Sequence, residues 1–158
     1  MSGLIPLEAC PFLLGEHPDH PGWNEWRLTD LTRYNGAVLG LTLLRFDNAE
    51  RTRTRTRIFP KPHLTNIHNA IHGAVSMALC DIALFAGCTA ILGKDIGHGT
   101  TLELNTHFTG AGDSEQPLDA LTELVRETGR LVFGRGMVVQ GEEVVASYSG
   151  IIRKPSRP

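Results

Sequence analysis

Residues 70–92 read AIHGAVSMALCDIALFAGCTAIL, and 17 of these 23 residues are apolar. A run of that length is long enough to cross a bilayer as a helix. Asp81 stands at its middle, where a carboxylate in lipid costs about 2.5–3.5 kcal/mol, and His72 and Ser76 weaken it further. No Lys/Arg cluster marks a cytoplasmic end. A helix that is apolar nearly all round also suits the centre of a globular domain. The stretch therefore predicts a buried central helix over 72–92, closed by Gly93 and Lys94, and no membrane span.

The flanks say what covers that helix. Residues 36–46, GAVLGLTLLRF, read as a buried strand, and residues 47–50, DNAE, as a turn. Residues 51–57 are RTRTRTR, whose strict period of two puts four Arg on one face of a strand and three Thr on the other. The Arg row suits a solvated face or a charged, aggregation-resistant edge; an anion-binding strip is the sharper alternative. Pro60-Lys61-Pro62 ends the strand, and a loop, HLTNIHNAI, leads to the helix. Beyond it, residues 100–109, 117–127, 130–140 and 143–153 alternate as strands, with turns at Thr128-Gly129 and Gly141-Glu142. The order β-β-α-β-β-β-β has too few helices for a doubly wound sheet. It predicts an α+β fold in which one curved antiparallel sheet wraps one long central α-helix.

Residues 1–35 read as an N-terminal extension ahead of a domain over 36–158. Leu4 to Leu14 is apolar enough for a turn or two of helix, and His17-Pro18-Asp19-His20-Pro21-Gly22 breaks regular structure. Trp23 and Trp26 are expected to dock the extension on the main body.

The chain has 158 residues, enough for one domain with a real core. Its 15 basic and 17 acidic residues give a net charge of −2, which offers no basic face for nucleic acid. The three cysteines, Cys10, Cys80 and Cys88, match no metal spacing and read as free thiols of a reducing cytosol. Met1 to Pro11 lacks the basic start and long apolar run of a secretory signal, so a cytoplasmic location is expected.

Three features bear on chemistry. His63, His68 and His72 follow an H-x4-H-x3-H spacing, but no Glu follows the first of the last pair and no Cys is near, so they read as polar loop residues and no metal is expected. His72-Gly73 opens the helix, whose first N–H groups lack internal partners and carry the positive end of the dipole. Gly there lets a ligand approach the backbone, as an oxyanion site requires, although many helices begin this way. Asp81, set among Met77, Leu79, Ile82 and Phe85, is costly to bury unless it is paired or put to use. It reads either as a structural carboxylate bonding a neighbour or as a base, since an apolar setting strengthens a carboxylate's basicity. Gly73 and Asp81 lie eight residues apart, about 12 Å along a helix. Serving one site therefore requires two antiparallel copies of the helix about a two-fold axis, hence a homodimer.

The pattern Asn66-x5-His72-Gly73-x7-Asp81, followed by Thr101-Leu102-Glu103-Leu104-Asn105 and the later Glu127-Thr128-Gly129-Arg130-Leu131, closely resembles the hotdog-fold acyl-CoA thioesterases, nearest the PaaI-like (phenylacetate-pathway) branch. The resemblance covers roughly residues 36–153. It implies hydrolysis of acyl-CoA thioesters by dimers or dimers of dimers (homotetramers), with CoA as part of the substrate and no other cofactor. The Gly73 N–H would polarise the thioester carbonyl. The partner's Asp81 would act as nucleophile or as base for a water. Asn66 would position that water or the carboxylate, and Thr101, where a relative has a catalytic Ser, would hydrogen-bond the water. His72 would shape the loop, and Thr128, Gly129 and Arg130 would contact CoA. Two departures stand out: Phe108-Thr109-Gly110-Ala111-Gly112 replaces a common Pro-Ala pair, and Ala74-Val75 follows His-Gly where a second Gly is common. A non-catalytic acyl-CoA-binding hotdog module and a hotdog hydratase or dehydratase are the alternatives. The extension is expected to cap the acyl pocket.

Overall fold

The computed structural model describes residues 12–155. Cys10 and most of the apolar Leu4–Leu14 stretch lie outside those residues. Eight antiparallel strands form one sheet: β1 (Leu13–His17), β2 (His20–Trp26), β3 (Thr42–Phe46), β4 (Arg53–Ile58), β5 (Thr100–Phe108), β6 (Leu118–Glu127), β7 (Leu131–Gln140) and β8 (Glu143–Arg153). Their spatial order is β1-β2-β3-β4-β6-β7-β8-β5. The one long helix among the described residues, α1 (Gly73–Leu92), packs against β4, β5, β6, β7 and β8.

Helix α1 forms and stops as its residues dictate. His72 is its N-cap, with Nδ1 accepting from the Ala74 N–H at 3.0 Å. Gly93 ends it in the left-handed region, φ 60°, where the absence of a Cβ removes the steric penalty. Twelve of its twenty residues are buried on more than one face, so the sheet wraps it. The helix comes close to the sheet at Gly87, where a Cβ would lie 2.5 Å from Thr54 Oγ1 and 2.8 Å from Thr122 Cβ. Any side chain there would push the helix off the sheet.

The sheet has two strands more than the sequence reading predicts. His17–Gly22 does not break regular structure. It makes the turn of the β1–β2 hairpin and a register shift, with His17 opposite His20 but Glu16 opposite Asn24. Pro21 and Gly22 fall in that irregularity, where no ladder N–H is needed, and Glu16 accepts the Gly22 N–H at 2.7 Å. Trp23 and Trp26 dock the hairpin as expected, each only 6% exposed. Residues 36–46 are a strand only from Thr42. Before it, Asn35–Leu39 winds one wide helical turn that ends at Gly40 with φ 73°, a conformation that favours glycine.

The Arg row is neither a solvated face nor an edge. Strand β4 lies between β3 and β6, with Thr54 and Thr56 fully buried and the Arg side chains on the opposite face. Arg55 and Arg57 both bind Asp119, at 2.8 and 2.7 Å, and Arg53 and Arg55 bind Asp47, at 3.1 and 2.6 Å. Trp23 lies under the guanidinium groups of Arg45 and Arg57, 4.3 and 4.7 Å from its ring centre. Three of the row's four Arg are thus paired within the chain, sharing the carboxylates of Asp47 and Asp119, so this part of the row is a structural ion-pair network.

Candidate functional site

Asp81 lies on α1 and is half-buried rather than enclosed. One carboxylate oxygen, Oδ1, accepts a hydrogen bond from the Thr101 hydroxyl at 2.6 Å. Thr101 stands at the start of β5, beside a register shift between Thr101 and Glu103 against β8; such bulges re-aim a side chain. The two residues were singled out separately in the sequence, and the fold brings them together.

Asp81 also forms part of the wall of a cleft of about 230 Å³, shared with Phe12, Trp26, Leu28, Asn35 and Phe85. Three of these are aromatic. The cleft was not visible in the sequence, because its walls, from Phe12 to Gly97, come from segments up to 85 residues apart in the chain. The one hint was the pair of tryptophans expected to dock.

The other predicted residues surround the start of α1. Asn66 Oδ1 accepts the N–H groups of His68 and Ala70 at 2.8 and 3.2 Å, and the Asn66 N–H donates to Ala70 O at 2.8 Å. These bonds shape the loop that delivers the helix. The loop is pinned further by His72 N–H to Leu64 O at 2.9 Å and Ile71 N–H to Gly112 O at 2.8 Å. Of the three loop histidines, His63 Nε2 meets Val38 O at 2.9 Å and His72 caps the helix. Among the described residues, no cluster of three His, Cys, Asp or Glu is arranged to hold a metal. Gly73 is the first residue of α1, so the helix leaves its N–H unpaired. A Cβ on Gly73 would stand 3.4 Å from the Phe108 ring.

Thr128, Gly129 and Arg130 form the β6–β7 turn. The Thr128 N–H donates to Leu131 O at 2.8 Å, and the Thr128 hydroxyl accepts the Leu131 N–H at 3.0 Å. Gly129 and Arg130 are exposed. Beside the turn, Lys94 and Lys154 bind Glu127 at 3.1 and 2.8 Å, and together they hold its carboxyl below the usual carboxylate range. Lys94 follows the end of α1, so within one chain the turn and the Gly73 N–H lie at opposite ends of the helix.

One apolar helix enclosed by a strongly curved antiparallel sheet, with a carboxylate midway along the helix and an open backbone amide at its start, defines a hotdog-fold protein. The sequence profile of the thioesterase superfamily matches residues 68–147, and the chain belongs to that superfamily. No curated protein matches the sequence. Among solved structures, the fold resembles a putative thioesterase of Ralstonia eutropha described as phenylacetic acid degradation-related. The TM-score is 0.64 at 20% identity, over 74% of this chain and 86% of that one. It resembles mouse thioesterase superfamily member 2 with TM-score 0.62 at 13% identity, over 78% and 90% of the two chains. A Bacillus halodurans protein solved with CoA matches at TM-score 0.57 and 24% identity, over 69% of this chain and 66% of that one.

Proposed function

We propose that the protein hydrolyses acyl-CoA thioesters to a free acid and CoA, at sites shared between two copies of the chain. The observation that carries this reading is the Thr101–Asp81 hydrogen bond at 2.6 Å in the wall of an aromatic cleft. It orients a carboxylate at an accessible position where apolar packing alone has no use for one. Asp81 then either takes a proton from a water attacking the thioester carbonyl carbon, or attacks that carbon itself and is freed by water. In both routes the C–S bond breaks, the CoA sulfur leaves as a thiolate and is protonated, and charge builds on the carbonyl oxygen in between. The Gly73 N–H at the positive end of α1 meets that charge. Asn66 holds the loop that places Gly73, and its side-chain nitrogen is available to a water. The Thr128–Arg130 turn offers backbone and guanidinium contacts to CoA.

The helix supports the two-copy arrangement. Gly73 and Asp81 sit on one helix, about 12 Å apart, so one small carbonyl cannot meet both within a chain. Strand β5 is a free edge of the sheet, and around it Met77, Leu102 and Phe108 are 41%, 53% and 50% exposed. Pairing β5 with its copy about a two-fold axis would continue the sheet, cover these side chains and set the two α1 helices antiparallel. Such dimers have a further face available for a dimer of dimers. A reducing, cytosolic setting fits the two buried free thiols, Cys80 and Cys88.

The test is release of CoA thiol from a panel of aliphatic and aryl acyl-CoAs, by wild type and Asp81→Asn. The variant keeps the side-chain shape, so the fold should survive while kcat falls about 10²–10⁴-fold, the usual worth of a positioned base. Tight acyl-CoA binding without product by wild type would instead mark a binding module.

A further inference from the structure

Four of the eight residues that line the cleft, Phe12, Trp26, Leu28 and Asn35, come from the segment ahead of residue 36, outside the stretch that matches the superfamily. Phe12, Trp26 and Leu28 face Asp81 and Phe85 across it. We infer that Phe12 sets the upper size of the acyl group this protein accepts, an inference that rests on the thioesterase reading above and deepens it.

Phe12 is held as a fixed wall. Its carbonyl accepts the Arg27 N–H at 3.0 Å, and its ring lies 5.7 Å from the Trp26 ring centre and 5.6 Å from that of His98. It rests directly on Gly97: a Cβ at position 97 would overlap the Phe12 ring, and only glycine admits it. Trp26, the ring's neighbour, is 6% exposed and belongs to the main core. The ring, partly buried against the main core, is thus backed by Trp26, His98 and Gly97, and a longer substrate meets it as a wall. The part of the cleft that one chain contributes measures about 230 Å³ and opens to solvent. With Phe12 closing it opposite Asp81, this wall favours a short aliphatic or single-ring acyl group over a long fatty chain.

The test uses non-hydrolysable S-alkyl-CoA thioethers of increasing chain length, titrated calorimetrically against the full-length protein and its Phe12→Leu and Phe12→Ala variants. Hydrolysis of the matching acyl-CoAs is measured in parallel. Wild-type affinity should rise about fourfold per methylene, the worth of one buried CH₂, up to a break and then stop rising. Phe12→Ala should move the break to chains longer by about two methylenes or more, as the removed ring leaves space. Phe12→Leu, which keeps an apolar cover and so protects the fold, should fall between. A break that stays in place in either folded variant, or no binding at any length, overturns the inference. A break that moves although wild type releases no CoA upholds the size limit and refutes the thioesterase. Turnover with an unmoved break does the reverse.

Discussion

Replacing Gly73 with proline removes one N–H group and little else. Gly73 is the first residue of α1, the position where proline is favoured because its missing donor has no helical partner. His72, which would precede the proline, already has φ −64° and ψ 135°, within the extended region that proline imposes on its predecessor. The nearest atoms to a Cβ at this site belong to the Phe108 ring at 3.4 Å, an ordinary contact. Stability should hold or rise by about 0.4–1 kcal/mol, since proline restricts the unfolded chain. Catalysis should not survive: losing one oxyanion donor costs about 2.7–4 kcal/mol, or 10²–10³ in kcat. Gly73→Ala is the control, since it keeps the N–H and adds only the Cβ. Steady-state hydrolysis on the best substrate of the panel, beside thermal melts of all three proteins, reads both effects. Proline down at least about a hundredfold further than alanine, and fully folded, supports the account; any loss in alanine measures the crowding that a Cβ adds to the backbone approach. A proline variant within twofold of wild type would refute the oxyanion role of this amide, and equal losses in both variants would trace the defect to bulk.

Three further outcomes follow from other parts of the molecule. Thr101→Val keeps the shape but removes the hydroxyl that donates to Asp81; kcat should fall about tenfold, matching one hydrogen bond to a charged group, with KM little changed. Asp119→Ala takes from Arg57 the carboxylate it binds and from Arg55 one of two, the other being Asp47; the two side chains are 29% and 19% exposed. Breaking a buried pair costs about 3–5 kcal/mol, and this partial exposure reduces it to about 2–4 kcal/mol. For a chain of this size that lowers Tm by about 5–15 °C, and a shift under 1 °C would show the Arg row to be structurally idle. Burial pushes the Cys80 and Cys88 thiols up to about 12, so in a Cys10→Ser background neither should react with a disulfide reagent at pH 8 until denaturant is added.

The central helix was legible because an uninterrupted apolar run with a glycine stop has few other soluble uses, and the four later strands because their alternation and turns agree. The N-terminal hairpin was hidden. Two prolines and a glycine within His17–Gly22 are loop signals locally; Pro18 does fall in the turn, but the bulge lets Pro21 and Gly22 sit in β2. The fate of the Arg row depended on Asp119, which is 62 to 64 residues away and has no local signature. Asp81 was legible as a candidate from its residue type and apolar setting, and Thr101 only through the family resemblance, but their mutual bond depends on how β5 returns beside α1. The cleft was the least legible part, since Phe12, Trp26 and Phe85 converge only in three dimensions.

The shared site is tested most directly by mixing defects. Asp81→Asn and Gly73→Pro, each nearly inactive alone, are co-expressed with different affinity tags, and the doubly tagged dimer is purified. One of its two sites then combines the intact Asp81 of one protomer with the intact Gly73 of the other. Its activity should recover to about half that of the wild-type dimer, as two-fold symmetry requires. A doubly tagged dimer no more active than either parent, or the absence of any such dimer, would contradict the account.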